Sequence, residues 1–105
     1  MPPVQPCNEC NKLAFIIAES GVEEQVMRAL AEFDLENYTL FQQVEGKGET
    51  GRKQGTAIFP GINMVLMIAM PEDRIDPLVE RLHKIRDSYI VQPGMRVIVT
   101  DCVMY

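Results

Sequence analysis

The 105-residue chain contains a single histidine, His83, and no Ser/His/Asp set can be assembled around it. Nucleophilic catalysis with a histidine base needs a nucleophile and an orienting acid beside it. His83 falls between Glu80 and Arg86, outside the apolar stripe of the segment that holds it, so a solvated surface position is expected and enzymatic activity is not. No apolar run approaches the ~20 residues that a membrane span requires, which excludes direct membrane insertion by a helix. Residues 1–12 lack the basic start and apolar middle of a secretory signal, so a cytoplasmic protein is expected. A surplus of positive charge is also missing. At a formal charge of −5 the chain has no general attraction for nucleic acid or anionic lipid, and any anion it binds needs a local cationic site. Three cysteines are an odd number and do not make a disulfide framework; Cys7, Cys10 and Cys102 are expected as thiols in a reducing compartment.

The material that is present suffices for one core. Hydrophobic residues make up 47% of the chain, and its length is too small for two domains. Three prolines in Met1-Pro-Pro-Val-Gln-Pro6 oppose helix and remove ladder donors, so residues 1–11 are expected to form a flexible tail ahead of a domain over 12–105. Leu13-Ala-Phe-Ile-Ile-Ala18 is a continuous apolar run of strand length, the pattern of an interior strand. Ser20-Gly-Val-Glu23 spells a capping box, and Val22, Val26, Ala29, Leu30 and Phe33 recur at helical spacing up to Asp34. Glu24, Gln25, Arg28 and Glu32 are assigned to the wet side of that helix. Tyr38-Thr-Leu-Phe-Gln-Gln-Val-Glu45 suits a strand with one wet face.

Residues 46–61 form a glycine-rich connection bearing Lys47, Arg52 and Lys53, longer than most in a compact domain. A second apolar strand follows in Asn63-Met-Val-Leu-Met-Ile-Ala-Met70. Asp73 is expected to cap a second helix, with Pro77 tolerated in its first turn and Ile75, Leu78, Val79, Leu82 and Ile85 as its buried stripe. That helix should stop by Asp87 or Ser88, and Met95 to Met104 reads as the last strand. The order βαββαβ predicts an α+β, ferredoxin-like fold: a four-stranded antiparallel sheet with two helices on one face and the first and third strands central. Those two strands are the most apolar, as central strands should be. Met64 to Ile68 put apolar side chains on both faces of the third strand, so the face away from the helices calls for a partner subunit.

Two segments could carry chemistry. Cys7-Asn-Glu-Cys10 has the spacing for one soft metal ion or a redox disulfide. A structural zinc site takes four ligands, so the set would have to be completed by Cys102, Glu9 or another subunit. Heavy-metal-associated domains share the element order but carry their CxxC in the loop entering the first helix, and here it precedes the first strand. In Glu45-Gly-Lys-Gly-Glu-Thr-Gly-Arg-Lys-Gln-Gly-Thr56, glycines allow backbone amides to converge on an anion and the cations supply charge. A strand follows in place of the helix of a phosphate-binding P-loop, so this is not a Walker motif. Acidic pairs such as Glu23 with Glu24 and Glu72 with Asp73 open helices, where they complement the macrodipole.

Gly46-Lys-Gly48, Arg52-Lys-Gln54-Gly55, the run Pro60-Gly-Ile-Asn-Met-Val65 and Pro71-Glu-Asp-Arg-Ile-Asp76, in this order, make residues 12–105 resemble the PII and PII-like signalling family. The resemblance implies a homotrimer with sheets facing inward and no catalysis. It also implies effectors in the clefts between subunits, here AMP, ADP, ATP, a cyclic nucleotide or bicarbonate. A membrane transporter or enzyme would be the target of loop 46–61. Carried over by position, Gly46, Lys47, Gly48, Arg52, Gln54, Gly55 and Gly94 would line the effector site, with Arg96 as a substitute cation. The chain departs from the family in Asp87 to Pro93, which has neither the glycines nor the lysine of the second phosphate loop. It has no tyrosine in 46–61 and no arginine-bearing tail. A second reading is a related CutA-like metal handler using Cys7 and Cys10. An acylphosphatase-type enzyme shares the topology, but it needs an arginine in the turn at Ser20-Gly-Val22, where none occurs.

Overall fold

The computed structural model describes residues 9–45 and 62–105. Within them the chain runs through strand β1 (Lys12–Glu19), helix α1 (Glu23–Glu32), strand β2 (Tyr38–Glu45), strand β3 (Ile62–Met70), helix α2 (Ile75–Asp87) and strand β4 (Met95–Asp101). The strands make one sheet in the order β2-β3-β1-β4, with every neighbouring pair antiparallel. The two continuous apolar runs therefore occupy the centre, bearing out the ferredoxin-like expectation.

Alternation along the central strands decides which residues meet the helices. Ala14, Ile16 and Ala18 of β1 and Met64, Leu66, Ile68 and Met70 of β3 are buried with Val22, Val26, Ala29 and Leu30 from the first helical segment and Leu78, Leu82 and Ile85 from α2. Leu40, Leu66, Ile16 and Val97 form one cross-strand row on this side. The residues between them look the other way. Thr39, Met67, Phe15 and Ile98 form one row on the open face, and Phe41, Val65, Ile17 and Arg96 form the next. Their central members are half-buried within a single chain, while Phe41 and Ile98 on the edge strands are about half exposed, at 48% and 53%. Among the described residues no helix lies over this apolar surface.

Both helix starts differ from expectation. Ser20–Val22 and Glu72–Arg74 are single 3-10 turns leading into α1 and α2, and neither turn nor helix has a side-chain bond from its capping residue. Ser20 and Asp73 lie inside these turns, not at the residue preceding the helix, so the capping box and the Asp73 cap do not form. The Glu23 carboxylate instead accepts from Gln42 Nε2 at 2.9 Å. Pro77 sits third in α2, in the first turn as expected. Gln25, assigned to water, is half-buried and donates from Nε2 to the Tyr89 hydroxyl at 2.8 Å. The last strand ends at Asp101, which pairs with Lys12, because β1 begins there and only Asn11 remains as a partner for Cys102.

The end of α1 shows how a local conformation is built without glycine. Asp34 has φ 54°, the left-handed region. Its N–H donates to Ala31 O at 3.1 Å and the Leu35 N–H reaches back to Leu30 O at 3.0 Å, the two bonds of a Schellman stop. Leu35 and Leu30 are both buried in the core, which holds the turn in place. The guanidinium of Arg74 donates to the carbonyl of Phe33, tying the start of α2 to the end of α1. Arg81 pairs with Glu32 across the helices at 3.0 Å and 3.3 Å.

Candidate functional site

One end of the sheet gathers the described members of the predicted site. β2 leaves the sheet at Glu45, β3 returns at Ile62 paired with it, β1 ends at Glu19 opposite Asn63, and β4 starts one residue after Gly94. Residues 46–61 are thus flanked by the β2–β3 edge of this end. Arg96 in β4 and Gly94 directly before it belong to the opposite edge. With strands ~4.8 Å apart, these two edges are separated by roughly 14 Å across the sheet. Gly46, Lys47, Gly48, Arg52, Gln54 and Gly55 lie outside the described residues.

Gly94 is held by β1: the Glu19 N–H donates to its carbonyl at 3.1 Å. Pro93 just before it is buried. Arg96 pairs in register with Ile17, and since Met95 and Val97 on either side pack against the core, Arg96 belongs to the open face. A guanidinium on that face stands where a covering partner would meet it. Between Ser88 and Pro93 the chain exposes Ile90 completely and Val91 largely, next to Gly94. The loop that elsewhere in the resembled family brings glycine and lysine here brings apolar surface.

Glu19 went unrecognised in the sequence, yet it is the buried charged residue of this end, at 5% exposure. The one available signal is its position: a carboxylate closing an apolar strand immediately before a turn. Burial pushes its carboxyl above the ordinary value of 4.5, and a hydrogen bond from the Gly94 backbone pulls partly back. Ionised, Glu19 repels an anion brought to Gly94; protonated, it does not. Because its folded-state affinity for the proton exceeds the unfolded one, the folded state binds more protons in the window that opens near 4.5. Stability falls as pH rises through that window. Glu19→Gln keeps the acceptor for Gly94 and removes the charge. Its melting temperature is expected to exceed the parent's at pH 8, with the gap closing as pH drops below the parent's titration. A gap that does not change with pH would refute this account of Glu19.

At the other end of the sheet Lys12 joins Asp101 in a hydrogen-bonded ion pair and lies 4.0 Å from Glu72. The hydrogen bond, with the opposite charge, raises the Lys12 ammonium and lowers the Asp101 carboxyl relative to their ordinary values. Cys102 follows Asp101 in this corner, with Cys10 across from it. His83 is exposed on α2, as expected. Among the described residues no helix is long and apolar enough to cross a membrane.

A four-stranded antiparallel sheet with two helices on one face is the ferredoxin-like arrangement. The model of the nitrogen regulatory protein P-II family matches residues 11–101, and the chain belongs to that family. Solved structures agree on the fold. CPII, a nitrogen regulatory PII-like protein from Thiomonas intermedia K12, bound to ADP, AMP and bicarbonate, is 22% identical with a TM-score of 0.69 over 90% of this chain and 92% of its own. CPII with ADP and bicarbonate is likewise 22% identical, with a TM-score of 0.73 over 97% and 93% of the two chains. The apo form of CPII gives 0.64 at 16% identity over 90% and 94%. No curated protein matches the chain.

Proposed function

We propose that this chain is a PII-like regulator that works as a cytoplasmic homotrimer, takes an adenine nucleotide or a bicarbonate-like anion into the clefts between its subunits, and reports occupancy through residues 46–61 to a transporter or enzyme. The observation that carries this reading is the uncovered face of the sheet. Leu13, Phe15, Ile17, Val65, Met67 and Ala69 present a contiguous apolar surface on the two central strands. A patch of this kind is stable in water only when something covers it, and a copy of the same surface does so at no cost in polar groups.

Assembly also resolves a spatial problem. The flanks of residues 46–61 and the Gly94–Arg96 segment lie on opposite edges of one sheet, too far apart to grip a single small anion. In a ring, the β2–β3 edge of one subunit approaches the β4 edge of the next, and the two half-sites share one cleft. Lys47, Arg52 and the backbone amides around Gly46 and Gly48 then supply positive charge, Arg96 adds a guanidinium, and Ile90 and Val91 offer apolar surface to a purine. The ligands of CPII support this chemistry, since ADP, AMP and bicarbonate are all anionic. The family works by signalling, and the proposal for this site is ligand binding.

Isothermal titration with AMP, ADP, ATP, a cyclic nucleotide and bicarbonate tests the proposal. At least one should bind, and Arg52→Ala and Arg96→Ala should each weaken it by about 10- to 100-fold, the loss of one charge-assisted hydrogen-bonding group. Silence from every ligand together with a monomeric mass by light scattering would remove the proposal.

A further inference from the structure

The turn that leads into β4 is where an anion at this edge would look for backbone donors, yet those donors are absent or already engaged. Pro93 has no N–H to offer. The N–H of Gly94 donates to the carboxylate of Glu19, and the Glu19 N–H donates to the Gly94 carbonyl at 3.1 Å, so the two residues are joined at both ends. Met95 follows inside the ladder, in register with Ala18. A backbone nest for an anion needs successive N–H groups converging on one point, and Pro93 and Gly94 provide none. Glu19 is buried here, so its carboxylate occupies the place an incoming phosphate would take. We infer that Glu19 is the specificity-determining residue on the β4 side of the effector cleft: a built-in anion that fills the Gly94 amide and selects mononucleotides over di- and triphosphates. This inference rests on the nucleotide reading of the cleft given above.

The segment between α2 and β4 has the same character. Residues 87–95 include the carboxylate of Asp87 and neither lysine nor arginine. Asp87 accepts from Arg86 Nε at 3.0 Å and from Gln92 Nε2 at 3.1 Å, which turns both donors toward their own neighbour. Ile90 and Val91 project beyond them into solvent. Such side chains can cover a purine ring, but they return nothing to a phosphate for the water it gives up. Arg96 stands two residues past Gly94 on the open face, and one guanidinium answers one phosphate. Every further phosphate adds negative charge, and its repulsion by Glu19 acts partly through protein, where it is screened less than in water. The quantity that Glu19 reads is therefore the length of the phosphate chain, not the base or the sugar.

Isothermal titration of the full chain with AMP, ADP and ATP at pH 8, which keeps the carboxylate charged, is the test. The parent should bind AMP more tightly than ADP, and ADP more tightly than ATP. Glu19→Gln keeps an acceptor for the Gly94 N–H but loses the charge. It should lower the ratio of the ATP Kd to the AMP Kd by about tenfold, the scale of a unit-charge repulsion near a protein surface. Glu19→Ala frees the amide as well, so the ratio should fall further. A residue that only supported the fold would weaken all three nucleotides alike and leave the ratio where it was. An unchanged ratio in Glu19→Gln, or a parent that binds ATP most tightly, overturns the inference and leaves the cleft standing. A chain that takes no nucleotide in parent or variant removes the cleft reading, and this inference with it.

Discussion

Phe15→Glu should turn a trimer into monomers and abolish effector binding in the same step. Phe15 sits at the middle of the open face, between Met67 of β3 and Ile98 of β4. In an isolated chain a glutamate there reaches water, and since Phe15 is not among the residues under the helices, the domain itself should fold. In a trimer three such carboxylates would be brought toward one another in an apolar interface. Burying an unpaired charge costs several kcal/mol, and like charges add to it. Light scattering should give the mass of one chain, the far-ultraviolet spectrum should be unchanged, and titration heats should vanish, because half of each cleft has been taken away. Phe15→Leu, which keeps the face apolar, should behave as the parent. A trimeric Phe15→Glu protein with normal ligand affinity would show that the copies pack through some other surface.

The second large effect lies one residue off the same row. Leu66 is fully buried beneath the helices, flanked by Ile16 and Leu40. Leu66→Ala removes apolar contacts on all sides and leaves a cavity, which costs about 3–4 kcal/mol. Urea unfolding should register that loss in the protomer whether or not it is assembled. Val65→Ala makes the complementary comparison. Val65 belongs to the open face, so its truncation should cost little in a monomeric Phe15→Glu background and distinctly more in the assembled protein. Equal losses for Val65→Ala in both backgrounds would mean that the face is not covered.

The contrast between Leu66 and Val65 also marks how far the sequence can be read. The apolar run from Asn63 to Met70 identified a central strand, and alternation then separated Leu66 from Val65, because consecutive residues of a strand must point to opposite faces. The first helical stripe was equally plain: Val22, Val26, Ala29 and Leu30 are all buried, and Phe33 packs against them; in the second, Leu78, Leu82 and Ile85 are buried, but Ile75 and Val79 are only half-buried. Capping was legible only as a motif. Ser20-Gly-Val-Glu23 has the right letters, but the chain enters α1 through a 3-10 turn that places Ser20 one step inside, and no local pattern distinguishes the two geometries. The Schellman stop at Asp34 was hidden because an aspartate stands where glycine usually advertises it.

Of the candidate effector site, Gly94 and Arg96 were named from the resemblance and lie on the β4 side of the sheet end where β1 closes, whereas Glu19 emerged only with the fold. A carboxylate at the end of a strand reads as exposed until β4 closes over it. What the amino-acid order settled without help is everything governed by short-range periodicity: the succession of elements, the two central strands, the buried stripes and the presence of a second apolar face. Tertiary structure alone decided which distant residues meet, setting Glu19 against Gly94 and Cys102 against Cys10. The reason is physical: antiparallel register depends on how whole strands are brought together by the core, and a shift of one residue would exchange every one of these neighbours.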